Sequence, residues 1–138
     1  MLVIYDQNGM INQCIIQADC TLEVLAERYQ AMGISHILHD GEADILNAYV
    51  SGGQVLLKPA MQITGNNRPV KADGVDVLEF LIDPVSFNAT VTFQESVVHQ
   101  EAVTDGKLDF TTAQAGTYKV YIEAPFPYQP TILTIEAV

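Results

Sequence analysis

The chain has 138 residues, the size of one ordinary domain or two small ones, and 49% of them are hydrophobic, enough for a real core rather than a disordered segment. It carries 17 Asp and Glu against 6 Lys and Arg, a formal charge of −11, which argues against nucleic-acid binding and against docking on an anionic membrane. No apolar stretch reaches the roughly 18 residues of a membrane span, and the opening MLVIYDQNG has neither the basic segment nor the long apolar run of a secretory signal.

In chain order, Leu2 to Tyr5 is a short apolar run, and Asp6-Gln7-Asn8-Gly9 reads as a turn, Asn-Gly being a strong hairpin signal. Met10 to Gln17 resumes as a strand. The character changes at Thr21. Leu22, Leu25, Ala26, Tyr29 and Met32 recur at three- and four-residue intervals and form one face of a helix. Thr21 suits the N-cap, Glu23 the first turn, and Gly33 the residue just past the end. Strands return at Ser35 to Leu38, closed by Asp40-Gly41, and at Ile45 to Val50. Ser51-Gly52-Gly53 is a turn, and Gln54 to Lys58 leaves it as a strand. Pro59 ends that pairing because it has no N–H to offer a ladder. Residues 1–60 therefore read as a small α+β unit, β-β-α-β-β-β, with seven acids against Arg28 and Lys58.

No helical period follows residue 60. Ala60 to Ile63 is a first strand, Gly65-Asn66-Asn67 a loop, and Arg68 to Ala72 a second strand stopped by Asp73-Gly74. Val75 to Ile82 follows, closed by Asp83-Pro84. Ser86 to Phe93 alternates, with Phe87, Ala89, Val91 and Phe93 on one face. Val97 to Val103 and Lys107 to Thr112 flank Asp105-Gly106, with Leu108 and Phe110 sharing a face. After Ala115-Gly116, Tyr118, Val120, Ile122 and Ala124 face one way until Pro125-Phe126-Pro127. Thr131 to Val138 is last, with Leu133, Ile135 and Ala137 inward. Period-two strands with one polar face suit two stacked antiparallel sheets. Residues 61–138 are thus expected to form an immunoglobulin-like antiparallel β-sandwich, with a closed small barrel as the alternative. The whole chain is mainly β.

Cys14 and Cys20 are the only cysteines. They read as two small apolar residues in a reduced protein, since they form neither a CxxC pair nor a disulfide framework. With His36 and His39 they do not match zinc-finger spacing, so no metal or cofactor is expected. Asp40, Glu42 and Asp44 lack the pattern of an EF-hand loop and read as a solvated loop. His99 and Glu101 stand two apart on a strand and can share a face, but nothing marks a nucleophile beside them. No catalytic residue is assigned, and the chain is not expected to be an enzyme.

The aromatics are more suggestive. Pro125, Phe126, Pro127, Tyr128 and Pro130 make a stiff connection, Pro-Phe-Pro-Tyr-Gln-Pro, near the end of the strand that carries Tyr121. Apolar rings on a rigid loop suit a protein contact, suit stacking on a sugar, and equally suit a plug for the open end of a sandwich.

Residues 4–11, Ile-Tyr-Asp-Gln-Asn-Gly-Met-Ile, and residues 48–59, Ala-Tyr-Val-Ser-Gly-Gly-Gln-Val-Leu-Leu-Lys-Pro, together resemble small structural proteins of tailed bacteriophages. Tyr5, Asp6, Gly9 and Ile11 match the opening of that pattern. Tyr49, Val50, Gly53, Val55, Lys58 and Pro59 match its second segment, with Lys58 where arginine is more usual. The Thr-Ala-Gln-Ala-Gly-Thr-Tyr approach to Tyr118 resembles the turn before a tyrosine in immunoglobulin-like domains, a module that phages append to virion proteins. The resemblance implies a structural or adaptor component of the tail, neck or fibre region, assembled in the host bacterial cytoplasm. Its partners would be other virion proteins and further copies of itself, met through exposed strand edges. A carbohydrate- or receptor-binding module is the alternative. The acidity is spread over both halves, consistent with keeping such a subunit in solution before assembly.

Overall fold

The computed structural model describes residues 1–138 and divides into two compact units, Met1–Lys58 and Pro59–Val138. The chain is mainly β, with a β-β-α-β-β-β first unit and a β-sandwich as the second.

In the first unit, β1 (Leu2–Tyr5) lies between β2 (Ile11–Ile15) and β3 (His36–Leu38), antiparallel to both. The Asp6 carboxylate accepts from the backbone N–H groups of Asn8 and Met10 at 2.8 and 3.0 Å, which bends the β1–β2 turn. Helix α1 (Leu22–Ala31) starts where Thr21 Oγ1 accepts from the Val24 N–H at 3.3 Å. It ends in a Schellman arrangement. The Gly33 N–H reaches the Gln30 carbonyl, the Ile34 N–H reaches the Tyr29 carbonyl, and Gly33 sits at φ +72°. Leu22, Leu25, Ala26 and Tyr29 form the covered stripe. Met32, expected on that stripe, is the C-cap residue and is exposed, because the helix has finished before the stripe returns to it.

The hairpin of β4 (Ala48–Ser51) and β5 (Gln54–Leu57) turns through Gly52-Gly53. The strand expected from Ile45 begins only at Ala48. Asp44 is the reason: its carboxylate accepts from the Leu46 N–H at 2.9 Å and its carbonyl from the Ala48 N–H at 2.8 Å, winding residues 45–47 into a turn. Val3, Ile11, Ala48 and Val50 form the core of this unit, with Tyr5, Cys14, Ile37 and Val55 packed around them.

The second unit stacks two antiparallel sheets. One contains β6 (Gln62–Gly65), β7 (Leu78–Asp83) and β10 (Lys107–Phe110), in the order β6-β7-β10. The other contains β8 (Phe87–Phe93), β9 (Ser96–Val103), β11 (Gly116–Glu123) and β12 (Thr131–Ala137), in the order β9-β8-β11-β12. This is an immunoglobulin-like order: β6, β7 and β10 occupy the places of strands A, B and E, and β12, β11, β8 and β9 those of G, F, C and C′. Alternation decides which side chains meet. Leu78, Phe80 and Ile82 face Phe87, Ala89, Val91, Tyr118, Val120, Ile122 and Ile135 in one buried cluster.

Three sequence expectations change here. Arg68 to Ala72 is not a ladder strand. Pro69 offers no N–H, and the chain crosses between sheets, with Val70 forming a single parallel bridge to Ala137. Val75 to Val77 is also outside β7. Asp73 accepts from the Val75 and Asp76 N–H groups, holding this stretch as a turn. Gly65, expected in a loop, instead closes β6 opposite Phe80.

Candidate functional site

The crossing at Val70 closes one lateral side of the sandwich, joining the β6 edge to β12. The other side has no such cover. There β9 and β10 are the free edges of the two sheets, and a cleft of about 480 Å³ opens between them. Tyr118 lines it, stacked on Phe93 with ring centroids 4.6 Å apart and meeting the edge of Phe110 at 5.1 Å. Val91, Leu108 and Val120 contribute apolar surface to the same cleft.

The register places His99 opposite Val91 and Glu101 opposite Ala89. Paired residues share a face, so both polar side chains lie on the core-facing side of β9. They remain accessible because no further strand covers this edge, and His99 Nε2 stands 3.7 Å from Glu101 Oε2. The ladder slips between Val91 and Thr92, leaving Val98 as the extra residue of a bulge that lines the cleft. Asp109, Thr111, Thr112 and Gln114 complete the polar part of the lining, and no Lys or Arg belongs to it. All of β9 except Val103 is exposed, including Val97 and Val98.

The proline-rich connection lies between β11 and β12. Phe126–Pro127 is a cis peptide, and the Tyr128 N–H donates to the Pro125 carbonyl at 3.3 Å, making a tight turn. The Gln129 N–H donates to the Pro59 carbonyl at 2.9 Å, anchoring the turn to the start of this unit. Tyr128 packs against the buried cluster. Phe126 and Pro127 are half-buried, whereas Pro125 and Pro130 are exposed. Tyr121 lies on the outward face of β11, opposite Thr90 and Ile132.

Cys14 and Cys20 are free thiols. Burial pushes the Cys14 thiol up from its ordinary range, and the Asp44 carboxylate adds to the effect. Its Sγ lies 3.8 Å from the Ala43 carbonyl.

Sequence reasoning singled out the proline-rich connection and the His99–Glu101 pair, but missed the cleft. The available signal was the polar run His99-Gln100-Glu101 inside β9, which alternation alone could not distinguish from the solvent face of a covered strand.

The chain is a mainly β protein whose second unit is an immunoglobulin-like sandwich with one open side. No protein-family model matches it, and no curated protein matches it. Two solved structures are similar: the complex of the pro- and mature domains of Porphyromonas gingivalis RgpB, and the Arg-specific cysteine proteinase gingipain R (RgpB). Each has 18% identity over 60% of this chain and a TM-score of 0.48. The chain spans 20% and 19% of the length of those two chains, and a likeness at this level bears on no activity.

Proposed function

We propose that this chain is a non-catalytic structural or adaptor subunit that works through protein–protein contacts. The observation that carries this reading is β9, an eight-residue edge strand exposed at every position but its last. Its outer backbone edge bonds to nothing else in the chain. Such an edge offers a row of donors and acceptors to another chain. The likeness of residues 4–11 and 48–59 to small tailed-phage structural proteins supports a place in a virion tail, neck or fibre attachment. Mass spectrometry and antibody labelling of purified particles test that assignment. The chain is expected at a fixed stoichiometry and at one location on the particle; absence from intact particles overturns it.

A further inference from the structure

We propose that β9 pairs with β9 of a second copy of this chain, antiparallel, about a twofold axis at Gln100. Three observations carry the inference. The first is the bare backbone edge of β9, which leaves the place of a fifth strand open beside it.

The second is the order of residues along that edge. An isologous contact must be self-complementary, each residue meeting its mirror position in the partner. The run Val97-Val98-His99-Gln100-Glu101-Ala102-Val103 meets that condition. With Gln100 on the axis, it faces the partner's Gln100, and the two amides can exchange hydrogen bonds. His99 falls opposite the partner's Glu101, and Glu101 opposite the partner's His99. Val98 falls opposite the partner's Ala102. The bulge at Val98 ends the regular pairing there, so the matched core is short and centred on His99, Gln100 and Glu101.

The third is charge. A chain at −11 repels its own copies, so a self-contact needs a local arrangement that offsets this. The twofold supplies two His–Glu pairs at opposed positions on the core-facing side, where opposed side chains stand roughly 5 Å apart. Within one strand the same two groups already stand 3.7 Å apart, so pairing would make a compact cluster of two histidines and two carboxylates.

The inference goes beyond the functional reading above. It holds whether or not the chain belongs to a virion, and its failure leaves a hetero-partner on the same edge, and hence that reading, standing. A competing account of the same residues is that inward charges and a bulge blunt the edge against pairing. Sedimentation equilibrium of the full chain at about 150 mM salt, where the Debye length is ~8 Å and long-range repulsion is screened, separates the two. The pairing predicts a monomer–dimer equilibrium. His99→Glu then sets four carboxylates together and weakens it by roughly tenfold or more, while His99→Glu with Glu101→His restores it. Gln100→Cys, with Cys14 and Cys20 replaced by alanine, forms a disulfide-linked dimer on mild oxidation, because directly opposed residues have the Cα separation that a disulfide needs. Ser96→Cys in the same background does not, since its mirror position is Thr104. Ser96, His99, Gln100 and Glu101 are exposed, and Cys14 and Cys20 are half-buried and lose only a thiol, so the fold is expected to survive each change. A monomer at every concentration overturns the inference. So does a dimer indifferent to the charge swap, or one that cross-links through residue 96 rather than 100.

Discussion

The Tyr118 hydroxyl donates to the Gln114 carbonyl 3.0 Å away, four residues back along the chain, and lies 2.8 Å from Thr112 Oγ1. This is the tyrosine corner of immunoglobulin-like sandwiches, closing the connection between β10 and β11. The ring meanwhile stacks on Phe93 and meets Phe110 edge-on. One side chain therefore ties a loop carbonyl to the hydrophobic core. Tyr118→Phe keeps the ring and removes the hydroxyl, leaving the Gln114 carbonyl and the Thr112 hydroxyl short of a partner. The expected loss is about 1–2 kcal/mol, read as a lower urea midpoint with an unchanged slope.

Arg68 and Asp76 make a two-pronged ion pair at 2.7 and 2.8 Å, and the Asp76 carboxylate also accepts from the Lys71 N–H at 2.9 Å. The Arg68 hydrogen bonds, aided by that N–H, hold the Asp76 carboxyl well below the usual carboxylate range. Asp73 shifts the same way through the N–H groups of Asp76 and Val75. Because the folded carboxyls bind protons less readily than the unfolded ones, their contribution is present above the ordinary carboxylate range. It is lost as pH falls below about 4 and through the depressed folded values. Urea midpoints measured from pH 6 to pH 2 should decline over that window, and Asp76→Asn should flatten the decline.

The β8–β9 connection turns on Gln94 and Glu95, whose φ angles are +49° and +65°. Both lie in the left-handed region, where a residue with a Cβ costs about 1–2 kcal/mol. Glu95→Gly relieves part of that cost without removing a buried contact, because the turn is exposed. Thermal unfolding should show a gain of about 0.5–1 kcal/mol, with the β9 edge retained.

Gly9 presents the opposite case. It sits at φ +87°, and its carbonyl accepts from the Val50 N–H at 2.8 Å. A Cβ at Gly9 would collide with the Val50 carbonyl, which is backbone and cannot swing aside. Gly9→Ala therefore combines a left-handed backbone penalty with displacement of the β4 strand. A destabilisation of at least about 2 kcal/mol is expected in the first unit, with faster hydrogen exchange at the Val50 amide. Unchanged exchange there would show that the turn adapts without cost.

Much of the fold was legible because it is written in local chemistry. The Thr21 cap, the Gly33 stop and the leucine spacing between them define α1 wherever it packs. Period-two alternation in residues 87–93 and 118–122 assigns the buried face of β8 and β11 without reference to any partner. Turns held by an aspartate side chain two or three residues back were harder to read. Asp44 and Asp73 bend stretches whose apolar residues suggested strands, because their hydrogen bonds outweigh weak β-propensity. The Gln94-Glu95 turn has neither glycine nor asparagine to announce it; the pairing of β8 with β9 imposes it. The candidate site lies at the far end of that scale. Sequence by itself determined that His99 and Glu101 can share a face, since strand periodicity is a property of the backbone. Only the tertiary structure decided that this face is uncovered, because coverage depends on which strands pair. Here β10 joins β7 and leaves β9 at the open edge of its sheet.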